Sequence, residues 1–160
     1  MLLDTLVRNI VPVEEGARCV HGIADELLAG APTFAEVALR IREAVRGKTA
    51  LIYNSEFDYG RLKSTRRDHG LSTGVVGRKQ TACVMHMYAF LYADYDPERQ
   101  EYARVSSSRA CAEMGVTPQG PAHRAAEDAL TTAALIRAVA QRVWPVPQKA
   151  PPGMLCEMGL

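Results

Sequence analysis

A short, unbroken apolar run, Thr49-Ala50-Leu51-Ile52-Tyr53, lies between two helix-like segments and constrains the fold more than any other stretch. Strands buried on both faces read as continuous hydrophobic runs, whereas half-exposed strands alternate. Upstream, Pro32-Thr33-Phe34-Ala35-Glu36 is a helix start in which Thr33 caps the Glu36 amide and Glu36 reaches back to Thr33. Phe34, Val37, Ala38, Ile41 and Val45 then form a helical stripe that stops at Gly47. Downstream, Ser55 to His69 reads as a second helix, stopped by Gly70. Helix, buried strand, helix is the rhythm of an α/β fold.

The remaining chain is read in the same way. Leu2 to Val7 is the first strand candidate, followed by a loop carrying Pro12 and Gly16. Ser72 to Lys79 is a Gly-rich loop. Thr81 to Ala93 is predicted as one helix with Val84, Met87, Tyr88 and Leu91 on one face, and Asp94 to Tyr102 as a polar excursion. Val105 to Met114 is a further helix. Arg124 to Val143 is the last, with Ala126, Leu130, Ala133 and Ile136 facing inward. Residues 1–143 form the predicted domain and 144–160 a tail whose Pro145, Pro147, Pro151 and Pro152 prevent regular structure.

Composition bounds the function classes. The chain has 160 residues, 48% hydrophobic and 23% charged, with 19 Lys+Arg against 18 Asp+Glu. That apolar fraction excludes disorder as the main state, and a net charge of +1 gives no global pull towards nucleic acid, so such binding needs a local patch. No apolar run approaches the roughly 18 residues of a membrane span, and no secretory signal is recognisable, so the expectation is a soluble, cytoplasmic protein without a membrane partner. Cys19, Cys83, Cys111 and Cys156 are scattered without a CxxC pair and read as reduced fillers of core or surface. The four histidines are equally scattered.

Three clusters can carry chemistry. Tyr53-Asn54-Ser55-Glu56-Phe57-Asp58 ends the buried strand, where open α/β sheets bind ligands; Asp58 either lines that cleft or serves only the helix dipole. In His123-Arg124-Ala125-Ala126-Glu127-Asp128, His123 and Asp128 lie five apart, about 140° around a helix, and converge only if His123 sits in the entering loop. A carboxylate for a hard divalent ion beside an imidazole that deprotonates water is a hydrolytic pairing; a loop histidine and a surface aspartate are the bland alternative. Val20-His21-Gly22-Ile23-Ala24-Asp25-Glu26 either brings His21 close to a ligand or is a turn entering a short helix. Arg61, Lys63, Arg66 and Arg67 form a solvated helix face or a phosphate-neutralising one.

Taken in order, these clusters resemble the DEDDh 3′–5′ exonuclease family, the superfamily of polymerase proofreading subunits and ribonuclease T. Asn54-Ser55-Glu56-Phe57-Asp58 is similar to its second motif, His123 to Asp128 to its third, and His21-Gly22-Ile23 with Asp25-Glu26 to its histidine–glycine segment. The resemblance runs from Leu2 to about Ala140. It implies a ribonuclease H-like mixed sheet flanked by helices, and Mg²⁺ or Mn²⁺-dependent removal of nucleotides from single-stranded 3′ ends, DNA rather than RNA. It also implies roles: Asp128 and Asp58 as metal ligands, His123 as general base, and His21, Asn54 and Phe57 around the terminal nucleotide. A polymerase or a second copy of the chain is the expected protein partner.

The family's first motif, an Asp-x-Glu pair on its opening strand, has no match. Asp4-Thr5-Leu6 resembles its beginning, but Leu6 stands where glutamate is needed. Leu2 to Val7 occupies the place of the family's third strand, so the chain is expected to lack the first two, through a misplaced start, a fragment boundary or a true truncation. Two of four carboxylates would then be missing, and an apolar face beside Leu51 and Ile52 exposed. The alternative function is a non-catalytic remnant that binds nucleic acid or protein. A third is a module completed by another chain's strand.

Overall fold

The computed structural model describes residues 3–120 and 123–143. The apolar run forms β1 (Ala50–Ile52), which pairs in parallel with β2 (Thr81–Cys83), Ala50 opposite Thr81 and Ile52 opposite Cys83. Before β1 come three helices, α1 (Glu15–His21), α2 (Asp25–Ala29) and α3 (Phe34–Val45). The capping box of α3 forms as the sequence predicts: the Glu36 amide donates to Thr33 Oγ1 (3.4 Å) and the Thr33 amide to Glu36 Oε2 (2.7 Å). Between the strands runs α4 (Ser55–Asp68), closed by Gly70 at φ 64°, and it packs on both β1 and β2. Strand, helix and parallel strand make a βαβ unit. After β2 follow α5 (Val84–Tyr92), the antiparallel pair β3 (Tyr95–Asp96) and β4 (Glu101–Tyr102), α6 (Ser107–Met114) and α7 (Ala125–Val143).

Two hydrophobic clusters hold these elements. In one, α5, α6 and α7 meet: Tyr88, Val105, Ala110, Cys111, Met114 and Leu135 are buried, with Tyr53 packed against them. Its polar atoms are satisfied. The Tyr53 hydroxyl donates to Val105 O (2.8 Å) and the Tyr88 hydroxyl to Glu113 Oε2 (2.6 Å), and burial pushes both phenols up to about 12. In the other, Phe34 and Ala38 of α3 pack against Val75, with Val7 and Leu62 around them.

Several expectations are corrected. The segment expected as a strand from Leu2 to Val7 is extended but unpaired over its described residues: its exposure alternates with period two, yet no neighbouring strand supplies a ladder. Instead the Arg8 amide bonds Pro32 O (2.8 Å) and Val7 joins the α3 core. The expected loop around Gly16 is α1. β1 is not buried on both faces, since α4 covers one side and Leu51 is 43% exposed. The helix expected from Thr81 begins only at Val84, because Thr81–Cys83 are recruited to the ladder with β1 and Cys83 becomes the residue capping α5. Val84, Met85, Tyr88 and Ala89 are the buried side of α5, while Met87 and Leu91 are exposed. The polar excursion is the β3–β4 hairpin, whose turn Asp96 Oδ1 stabilises by accepting the Glu98 (3.0 Å) and Arg99 (3.2 Å) amides. On α7, Thr131 and Leu135 are buried and Leu130 is 46% exposed, a rotation of the inward face by about one residue. The proline-rich stretch 144–160 lies outside the described residues.

Candidate functional site

One group of candidate residues follows directly on the end of β1. Asn54 adopts the left-handed conformation (φ 60°) immediately after the strand and turns the chain into α4, a conformation asparagine tolerates better than most residues. The first turn of α4 then carries Glu56, Phe57 and Asp58. Phe57 is 56% exposed, with the Arg61 guanidinium 5.0 Å from its ring centre. Asp58 is half-buried, and burial raises its carboxyl above the ordinary carboxylate value. A desolvated acid that makes no ion pair among the described residues is a suitable partner for a metal ion or a proton.

The second group sits where the chain enters α7. His123 is exposed in a turn at φ 66°, outside the helix, which is the condition under which it and Asp128 can face one ligand. Asp128 lies in the first turn of α7, its amide bonded to Arg124 O (2.9 Å). The approach to this turn is fixed by backbone contacts. The Gln119 amide donates to the buried Thr131 Oγ1 (2.9 Å). Gly120 runs at φ 135°, where a Cβ would lie 2.6 Å from Glu127 Cγ.

His21 ends α1, and Gly22 at φ 66° caps it; both readings of this segment share that turn, which leads into α2. The ring folds back so that Nδ1 accepts the Ile23 amide (3.0 Å), which leaves Nε2 as the nitrogen able to donate to a ligand. Asp25 is engaged locally, accepting the Asn9 side-chain amide and the Val13 amide (3.1 Å), and so ties down the segment before α1.

Asn54, Phe57 and Asp58 thus share one helix start, and His123 and Asp128 share another. Among the described residues, no three His, Cys, Asp or Glu side chains gather closely enough to hold a metal ion. Sequence reasoning missed Cys83, which it grouped with filler thiols. Its burial pushes the thiol up, but the His86, Ser55 and Met85 amides and the Ser55 hydroxyl outweigh that and hold it below its ordinary value. The signal was hidden because it depends on Cys83 ending a strand rather than lying inside a helix. Cys19 is exposed and Cys111 buried, as fillers are, and Cys156 lies outside the described residues.

A parallel βαβ unit with Asn54, Phe57 and Asp58 at its strand end, joined to a long C-terminal helix entered through a histidine turn, defines a ribonuclease H-like α/β domain. The chain belongs to the ribonuclease T exonuclease family, whose model matches residues 2–136. The uncharacterized exonuclease CP81 of Escherichia phage 186 is 29% identical over 147 residues, 88% of this chain and 74% of that protein. DNA polymerase III subunit epsilon of Escherichia coli (strain K12) is 50% identical over 48 residues, 30% of this chain and 20% of the subunit. The corresponding subunit of Pasteurella multocida (strain Pm70) is 47% identical over 49 residues, 31% and 19% respectively. The chain therefore spans about three quarters of the phage relative and about a fifth of these polymerase subunits. No helix among the described residues is long and apolar enough to cross a membrane.

Proposed function

We propose that residues 1–143 form an exonuclease domain of the DEDDh type that removes nucleotides from the 3′ end of single-stranded nucleic acid, DNA in preference to RNA, with 144–160 as an appended tail. The observation that carries this reading is the position of half-buried Asp58, whose carboxyl is raised by burial, one turn beyond the end of a parallel strand in a chain of the exonuclease family. Asp58 and Asp128 are assigned as two ligands of Mg²⁺ or Mn²⁺. His123 is assigned to take the proton from the attacking water through a ring nitrogen. Asn54, Phe57 and His21 are assigned to the terminal nucleotide, His21 through its Nε2 proton, since Nδ1 is occupied. The names of the polymerase III relatives support a polymerase as partner, and a cytoplasmic location follows from that reading.

A two-ion centre carries four positive charges and needs more than two carboxylates. The described residues do not fit such a centre, because no three acid, histidine or cysteine side chains come together among them. A complete ligand set requires acids from outside residues 3–120 and 123–143. That same observation favours the second reading, a non-catalytic relative that retains nucleic-acid or protein binding, alone or completed by a second copy of the chain.

Degradation of a 5′-labelled single strand with Mn²⁺, by this chain and by its Asp128→Ala variant, separates the two. A ladder shortening from the 3′ end that disappears in the variant supports the nuclease. Absence of cleavage by both favours the binding reading, and the coding sequence immediately upstream then shows whether a strand ending in Asp-x-Glu is in frame.

A further inference from the structure

The side of α4 turned away from Phe57 carries a groove that the proposed chemistry does not use. Tyr59, Lys63 and Arg66 follow at i, i+4 and i+7 and so share one face of the helix. On the helical wheel that face is about 100° from Asp58 and nearly opposite the Phe57–Arg61 stack. Facing it is the segment after Gly70. Between them lies a cavity of about 260 Å³ lined by Tyr59, Lys63, Arg66 and Val75. A second, of about 220 Å³, continues past Tyr59 to Arg78, Ser55 and His86. Tyr59 lines both, so the two cavities adjoin at this side chain and form the two parts of the groove.

The chemistry of the groove is aromatic and basic. The Arg78 guanidinium lies 5.9 Å from the Tyr59 ring centre. Lys63 is exposed and makes no ion pair among the described residues. Arg66 uses Nη1 on the carbonyls of Leu71 (3.1 Å) and Ser72 (2.8 Å), which fixes the opposite wall and keeps its charge there. Glu56 is the one acid lining the groove, and it is spent on Arg78 at 3.3 Å in an exposed pair. Three cations against one acid leave a local positive excess that the overall charge of +1 conceals.

We propose that this groove binds a single-stranded nucleic acid, with a base stacked on Tyr59 and backbone phosphates against Lys63 and Arg78. It rests on the nucleic-acid reading above and adds a second, non-catalytic contact surface for the strand. Aromatic rings interleaved with Lys and Arg are the recurrent means of holding single strands without sequence preference, and charge complementarity selects this polyanion over an uncharged partner.

The test is fluorescence anisotropy of a labelled oligothymidylate with EDTA present, over a range of salt concentrations, so that cleavage plays no part. Lys63→Gln and Arg78→Gln should each flatten the dependence of log affinity on log salt by about 0.7, the contribution of one phosphate contact on a single strand. Tyr59→Leu should weaken binding roughly fivefold or more while leaving that slope alone. Arg137→Gln, which removes an exposed charge on α7, should change neither. No binding by the parent chain, equal losses with Arg137→Gln, or preference for an acidic peptide overturns the proposal. Circular dichroism and cleavage of the same variants keep the two readings apart: intact cleavage with unaltered slopes rejects the groove alone, and binding without cleavage rejects the nuclease alone.

Discussion

At the scale of single residues, two side chains report the state of the candidate site. Asp58 is an acid whose folded-state pKa lies above its ordinary 3.8, because burial disfavours the charge. Between those two values the folded protein holds more protons than the unfolded chain, so stability falls as pH rises through that window. Above the folded value the full cost of the buried charge is present. Asp58→Asn is therefore expected to raise the Tm of the metal-free protein at neutral pH, and the gain should vanish below the ordinary aspartate range, as thermal melts across pH would show. Gly120 reports on the histidine turn. Its φ of 135° and the 2.6 Å clash awaiting a Cβ predict that Gly120→Ala costs about 1–3 kcal/mol, read from the urea midpoint, and displaces His123. If the nuclease reading holds, cleavage should fall by more than the loss of folded protein explains.

At the scale of elements, local chemistry and tertiary context divide the work. Helix α3 is written into its own residues: removing the Thr33 hydroxyl that accepts the Glu36 amide should cost about 1 kcal/mol, measured by chemical denaturation of Thr33→Ala. Helix α4 and strand β1 were legible for the same reason, since Gly70, Gly47 and the apolar run mark their ends within a few residues. The start of α5 was not. Thr81-Ala82-Cys83 carries nothing that separates it from the helix ahead, and it becomes a strand only because β1 offers Ala50 to Ile52 as partners more than two dozen residues away. The unpaired Leu3–Val7 is the converse: a strand-like pattern without a described strand to join. Of the candidate site, the motif residues and their order were visible in the sequence, as was the need for His123 to lie outside the helix. The lowered Cys83 thiol and the Tyr59 groove were not, because each is made by two segments that meet only in the folded chain.

At the scale of the whole molecule, the two hydrophobic clusters divide the fold into an α5–α6–α7 half and an α3–α4 half. Leu135 is fully buried in the first. Leu135→Ala should destabilise the protein by about 2–5 kcal/mol. Amide exchange should speed up most in α6 and α7, and less in α3, whose core shares none of the buried residues. Uniform acceleration over both halves would mean instead that the clusters open as one unit.

The β1–β2 pairing has a consequence in time as well as in space. Three residues on each side join segments about thirty positions apart, so the ladder closes a long stretch of chain before any of its few hydrogen bonds is gained. Helix α4 can begin to form locally, but the thiol of Cys83 has no Ser55 to accept from, and Tyr59 no Arg78 beside it, until that closure occurs. The surface around the start of α4 is thus completed by a non-local contact rather than by the helix itself. A chain released early would carry its motif residues in sequence without yet possessing the surface that gives them a common address.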